Sequence, residues 1–496
     1  MEVAWGERIE DETQGLDIVG VRGLDQSLEA ALVNGITTIS LRGRYFTLLT
    51  WAVGEFFRTD MANNAETFDQ DRFKTFLTRV EFLALACTTL DDGPGDPSGA
   101  LGSVYFATEM AALRAGQPVS FPNGRTGAML GTYFGPCRAS GLMRFGDAGR
   151  PEPFMLTPRG GAIWEARNAA LGNEPWRDVL WDAETITAEE VRALARHFSL
   201  KCLADAPAEA AVLREALLSP WAPAGATAAE NVASSYDRFG QSIDWLRRSH
   251  AEGAPLRASG LLSDALRRAV NGEIERPVGL FWAEYEWRRR LHYALELMLS
   301  AVSDTVRDLH ETTLEDVIAE WTAQPALPQR LVEWWPVAAE AHTLSGVQAV
   351  ASISSRLFVD LNPPDDIAKL SPYARALAAF AILVCMTSST TVLRADGVFR
   401  DQESPGDAAL SAVEAADAEP FSETLKRVVE IVVSAHLATT FRKMGGGQKC
   451  SLRFFPEGKR LLTTNLHTGA GRSGSRLGNV IKILEDAAVP GIGALP

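Results

Sequence analysis

One unbroken helical pattern, from Val278 to His310, sets the scale of this chain. Trp282, Tyr285, Trp287, Leu291, Tyr293 and Leu297 recur along it, and no proline interrupts it. At ~1.5 Å per residue such a helix is about 50 Å long. It lies inside a stretch, Asp178 to Pro420, that reads as helix after helix. Thr187-Ala188-Glu189-Glu190 has the form of a capping box opening Ala188–Phe198. Segments Ala208–Leu218, Ala226–His250 and Leu261–Val270 follow. Thr312-Thr313-Leu314-Glu315 is a second capping box, and Trp334-Trp335-Pro336 ends a later helix. Arg288-Arg289-Arg290, within the long helix, reads as a solvated face paired with acidic surroundings. Gly397–Glu419, acidic and alanine-rich with a turn signal at Pro405-Gly406, reads as a linker or exposed loop. The fold class is therefore mainly α.

The N-terminal part is helical too. Leu24–Val33 is a short helix, and Asn34-Gly35 is a turn signal. Tyr45, Leu48, Leu49, Ala52 and Phe56 recur at helical spacing in Leu41–Arg58. Arg42 and Arg44 stand at its start, where the helix dipole disfavours cations. They call for acidic partners such as Asp17 or Asp25, or for an external anion, and pairing within the chain is favoured. Asp69–Leu85 is amphipathic. Asp91–Gly99 carries carboxylates but no ligand spacing, and reads as a solvated turn. Val104–Arg114 is a further helix.

Composition bounds the class. The 496 residues suffice for about two to four domains. The net charge of −15 disfavours a protein that coats nucleic acid with its whole surface. Five dispersed cysteines, Cys87, Cys137, Cys202, Cys385 and Cys450, read as reduced thiols rather than a disulfide scaffold or a zinc site. The acidic N-terminus has no apolar signal core. The longest strongly apolar segment, Ala376–Met386, is too short for a bilayer that needs about twenty residues. A soluble, cytoplasmic protein with no membrane partner is expected.

Two stretches stand apart from the helical body. In Thr126–Ala169, a helix-compatible segment (Gly127–Ser140, with Pro136 predicted to kink it) precedes two apolar runs, Leu142–Phe145 and Phe154–Leu156. Gly146–Pro151 separates these runs with turn residues. Thr157-Pro158 then caps and opens a second helix. The order helix, Gly141-Leu142, hairpin, Leu156-Thr157-Pro158-Arg159-Gly160, helix resembles the back half of a MarR-type winged helix, with a recognition helix and a wing. Such elements bind DNA or dock proteins. In the second stretch, Phe421–Lys443 is an amphipathic helix, Cys450–Phe455 and Arg460–Thr464 are strands, and Arg476–Ala487 is a closing helix. Together they form a small basic α+β module.

Charge is segregated along the chain. Arg442, Lys443, Lys449, Arg453, Lys459, Arg460, Arg472, Arg476 and Lys482 are opposed only by Glu457, a local balance of +8. Arg114–Arg167 carries +4, which leaves −27 for the remainder. Phosphate contacts supply most non-specific nucleic-acid affinity, so these nine cations are candidate DNA contacts. Arg125, Arg138, Arg144 and Arg150 would add a second set from the helix and wing. Gly445–Gly447 and Gly469–Gly474 could offer backbone N–H groups to phosphate. Docking of the basic module on acidic helices, in this chain or in a partner, accounts for the same segregation equally well.

No catalytic constellation stands out. The seven histidines include no His-x-x-x-His pair. His436 reads as a core residue, and His467, in the basic loop, is the one worth testing. Gly445-Gly446-Gly447-Gln448-Lys449 lacks the phosphate-loop frame, and no nucleophile elbow is present. Glu457-Gly458-Lys459 has the Glu-x-Lys form of many nucleases but reads as a hairpin tip. No cofactor or metal is called for.

Asn34-Gly35-Ile36-Thr37-Thr38 through Arg42-Gly43-Arg44-Tyr45-Phe46 to Trp51 resembles a "PGIT…T.RaRYysf..W" signature. Arg442-Lys443-Met444-Gly445 through Cys450-Ser451-Leu452-Arg453-Phe454 to Arg476-Leu477-Gly478-Asn479-Val480 resembles its C-terminal companion. Both signatures resemble those of a family of bacterial proteins encoded near phage-defence and DNA-modification genes. Asn34 stands where that family has proline, and Phe46 where it has a second tyrosine. The resemblance implies a defence role without supplying a chemistry. Four consecutive segments are expected: a helical region at 1–109, the winged-helix-like domain at 110–175, the helical body at 176–420 and the basic module at 421–496. The leading expectation is a non-enzymatic DNA-binding or DNA-sensing component of an anti-phage system working with protein partners. The alternatives are an adaptor that docks a catalytic partner, and a metal-dependent nuclease at Glu457 and Lys459.

Overall fold

The computed structural model describes residues 17–60, 68–122, 128–148, 152–172, 176–219, 229–254, 256–273, 277–323, 370–395, 404–416, 419–447, 450–464, 469–471 and 474–492. They are mainly helical. In chain order the helices are α1 (Arg22–Val33), α2 (Arg44–Glu55), α3 (Gln70–Leu90), α4 (Ala107–Arg114), α5 (Ala128–Ala139), α6 (Pro158–Leu171), α7 (Trp176–Trp181), α8 (Ala188–Phe198) and α9 (Pro207–Leu218). There follow α10 (Ala229–Ala251), α11 (Ala258–Val270), α12 (Pro277–Leu309), α13 (Leu314–Thr322), α14 (Pro372–Ala395), α15 (Pro405–Glu414), α16 (Phe421–Gly445) and α17 (Leu477–Asp486). Trp334-Trp335-Pro336 lies outside the described residues. No described helix is long and apolar enough to cross a membrane.

The chain forms two compact units, each drawn from two stretches of sequence. One comprises residues 1–29 and 259–474, the other 30–258 and 475–496. The residues expected as one basic module are thus shared between the units after Gly474.

The first unit is organised on α12. Its long helix is buried on all sides rather than on one stripe, and it packs on α14 and α16. Helix α14 supplies a continuous buried apolar run, Ala376–Val384. Residues expected as a linker instead form α15, with Ala409, Leu410 and Val413 buried. Ser404 accepts a hydrogen bond from the Asp407 amide, and Pro405 occupies the first turn, so the supposed turn signal is a helix start. The second capping box sits one residue later than expected, between Thr313 and Asp316. Strands β5 (Glu311–Thr313), β6 (Phe454–Glu457) and β7 (Arg460–Thr463) make an antiparallel sheet with β7 in the centre. Gly458, at φ +63°, turns the β6–β7 hairpin, and that conformation favours glycine.

The second unit is built around α2, all twelve residues of which are buried. Helices α5 and α6 pack on it, while α3 packs on α8 and α9 on α6. Strands β2 (Met143–Phe145) and β3 (Phe154–Leu156) pair antiparallel between α5 and α6, and β1 (Val119–Ser120) pairs antiparallel with β4 (Thr185–Ile186). Pro136 is accommodated within α5, which runs on to Ala139. Thr157 closes the element: its hydroxyl donates to the Gly141 carbonyl and accepts from the Gly160 amide at 3.2 Å. A Cβ on Gly160 would lie 2.0 Å from the Leu142 carbonyl oxygen, so only glycine permits this approach of helix to hairpin. Gly54 of α2 likewise admits Leu156 and Trp164, whose carbons come within 2.6 and 2.8 Å of its would-be Cβ.

Candidate functional site

The described cations expected to meet DNA are divided between the two units. In the first unit Arg442, Lys459 and Arg460 are exposed, and Arg460 pairs with Glu311. Lys443 donates to the Asp17 carbonyl. Arg453 is 6% exposed, beside Glu296, and burial pushes its pKa down. The second unit holds Arg476 and Lys482, the latter 3.4 Å from Asp96. On its helix–hairpin element Arg138 is exposed and stacks on Phe145, while Arg144 pairs with Asp147 at 2.5 Å. Arg125, Arg150, Lys449 and Arg472 lie outside the described residues, as does His467.

Three amides of the glycine-rich turns make hydrogen bonds within the chain. The Gly446 and Gly447 amides close the last turn of α16 on the carbonyls of Arg442, Lys443 and Met444. The Gly471 amide donates to Glu296 at 3.1 Å. Glu457 and Lys459 flank the β6–β7 turn, and the described residues contain no group of three His, Cys, Asp or Glu placed to hold a metal ion.

The Arg288-Arg289-Arg290 triplet corrects its expected solvated face. All three are buried, because α12 is covered all round. Arg288 pairs with Glu284 at 2.9 Å, and Arg289 and Arg290 pair with Glu286 at 3.1 and 2.8 Å. One turn on, His292 Nδ1 lies 3.1 Å from Asp25 and its Nε2 lies 3.0 Å from Glu296. Burial opposes the charged ring, but the two carboxylates prevail and hold its pKa up to about 10. Arg375 pairs with Asp304 on the same helix. His436 has the opposite setting. Its Nδ1–H donates to the Ile18 carbonyl at 2.8 Å and its Nε2 accepts from the Arg453 amide at 3.1 Å. Burial pushes its pKa down to about 4, so it is the satisfied core residue expected.

In the second unit Arg42 and Arg44 are paired within the chain, as expected, but with Asp486 and Glu209 rather than Asp17 or Asp25. Arg42 Nε donates to Asp486 at 2.8 Å, and its Nη groups reach the carbonyls of Asp96, Ser98 and Leu200. This joins the start of α2 to the end of α17. Arg44 donates to the carbonyls of Ser199 and Arg196. Arg167 of α6 donates to Glu209 at 2.7 Å and to the His197 carbonyl at 2.9 Å. Thr47 also donates to Glu209. Burial works against the Glu209 carboxylate, but Arg167 and Arg44 hold its pKa below the ordinary range. Tyr45 and Trp51 of the same signature are buried too, hydrogen bonded to the Leu101 amide and the Asn168 side chain.

Above this cluster is a cavity of about 250 Å³, lined by Arg44, Arg167, Arg196, His197, Asp205 and the first turn of α9. Arg44 is conspicuous in the sequence but the cavity is not, because Arg167 and Glu209 reach it from helices far away in the chain.

A different surface lies on the helix–hairpin element. Phe145 is 54% exposed on β2 and packs 4.9 Å from the half-buried Phe134, which in turn meets Phe154 at 4.8 Å. Beside them α5 exposes Ala128, Gly131 and Gly135, residues with almost no side chain. The chain matches no family model, no curated protein and no solved structure.

Proposed function

We propose that the protein is a non-enzymatic docking component of a bacterial defence assembly, binding a protein partner through the helix–hairpin element of its second unit. The exposed aromatic surface carries this reading. Phe145, supported by Phe134 and Phe154, sits beside a helix face of alanine and glycine. Along Ala128, Gly131 and Gly135 this face offers no side chain that could read base edges, which takes Arg, Lys, Asn or Gln in the groove; Arg138, at its end, stacks on Phe145. It is well suited to close approach of a partner helix, with an aromatic anchor at its rim. The winged-helix resemblance agrees with this use, since such elements serve as protein-docking modules as well as DNA readers. The defence setting rests on the two signatures.

The partner is an amphipathic helix of a protein encoded beside this one. Co-expression with each neighbouring gene product tests the reading. A neighbour should co-elute with the wild type and be lost from Phe145→Asp, whereas Lys459→Ala should retain it. Retention by Phe145→Asp would overturn the proposal.

A second reading, duplex DNA binding, is favoured by one observation: Arg138 and Arg144 are exposed at the end of α5 and on the hairpin. It requires affinity that falls steeply with salt and a shallower salt slope in the double Arg138→Ala/Arg144→Ala variant.

A further inference from the structure

The geometry points to the cavity over Arg44, Arg167 and the start of α9 as a binding site for the phosphate group of a small phosphomonoester. Three observations converge on one anion. First, Arg44 and Arg167 are almost fully buried and share a single carboxylate, Glu209, so the floor holds more positive than negative charge. At the rim Arg196 and Asp205 offset each other. His197 accepts from Arg196 Nε at its own Nε2, so it carries no proton there. Burying an uncompensated charge is costly, and a bound anion relieves the cost.

Second, the Nε atoms of both Arg44 and Arg167 are buried without a hydrogen-bond acceptor. Arg44 Nε lies 3.5 Å from Glu209 but is not hydrogen bonded to it. Both side chains line the cavity, and neither Nε is taken up by an internal hydrogen bond. Third, α9 begins at the cavity wall. Pro207, Ala208 and Glu209 line it, and the N-cap Ala206 provides no side-chain acceptor for the first amides. Helix N-termini and arginine forks both suit phosphate oxygens. At about 250 Å³ the space is below the ~300–1,000 Å³ of clefts that hold drug-sized ligands, which limits the occupant to a small molecule. The competing role for the two arginines is structural: their Nη groups cap the carbonyl end of α8.

The test uses the full chain, with inorganic phosphate and ribose 5-phosphate as probes at constant ionic strength. Thermal melting and ³¹P line broadening are the readouts. The wild type should gain Tm with the logarithm of probe concentration once binding saturates. Exposed residues at the cavity allow variants that spare the core. Ala208→Glu places a carboxylate at the helix start, supplies the missing negative charge and should abolish the response to both probes. Arg196→Gln should weaken binding by roughly tenfold, the loss of one charge-assisted contact. Tighter binding of ribose 5-phosphate than of phosphate identifies an organic phosphomonoester; equal binding identifies phosphate itself. No response in the wild type, or an undiminished response in Ala208→Glu, would overturn the assignment and leave the arginines as helix caps.

Discussion

Raising the pH above neutrality should destabilise the first unit through His292. The imidazolium is held between Asp25 and Glu296, which keeps its pKa at about 10 in the folded protein, against an ordinary 6.5. A raised folded-state pKa means that the contribution is fully present below pH 6.5 and disappears as the pH rises through about 10. Each tenfold difference in proton affinity corresponds to ~1.4 kcal/mol, so the whole contribution is at most ~5 kcal/mol. Urea denaturation followed by near-UV circular dichroism, at steps between pH 6.5 and 10, measures it. Comparison with His292→Gln isolates it. That substitution leaves two buried carboxylates without their cation and should cost roughly 3–5 kcal/mol at pH 6.5. It should also flatten the alkaline loss. Parallel loss of stability in wild type and His292→Gln across this range would refute the reasoning.

Acidification should act on the same unit with the opposite sign. His436 is held neutral with a pKa of about 4, so its contribution is present above pH 6.5 and is lost as the pH falls toward 4. A His436→Gln variant should lose less stability over that window in the same urea titration. In the second unit, Gly160→Ala forces a Cβ onto the Leu142 carbonyl and should cost about 1–3 kcal/mol, read as a lower thermal midpoint. Asp486→Ala strands the buried Arg42 guanidinium and should cost about 3–5 kcal/mol by chemical denaturation.

Local signals in the sequence were good guides to local structure. The Thr187 capping box, the Thr157-Pro158 helix start and the helix–hairpin–helix order around Gly141 all depend on residues a few positions apart. They appear where the spacing predicts. The hidden parts depend on distant segments. Arg288-Arg289-Arg290 reads as solvated because charge on a helix usually is. Only the surrounding helices, and Glu284 and Glu286 one turn back, explain its burial. Ser404-Pro405-Gly406-Asp407 carries a cap, a first-turn proline and a first-turn acid, yet the alanine-rich composition around it reads as loop. The nine cations are consecutive in charge only along the chain. The described ones fall in both units, and Arg453 is buried. Signature residues Arg42 and Arg44 stand at a helix start where the dipole disfavours them, which flags a need for partners. Their partners, Asp486 and Glu209, are 444 and 165 positions away.

We propose that the aromatic face around Phe145 docks a protein partner. Co-elution of wild type, Phe145→Asp and Lys459→Ala with a co-expressed neighbouring gene product tests it most directly. A complex is expected with the wild type and Lys459→Ala, and none with a folded Phe145→Asp chain. A complex that survives Phe145→Asp, or no protein complex alongside salt-sensitive duplex binding, would contradict it.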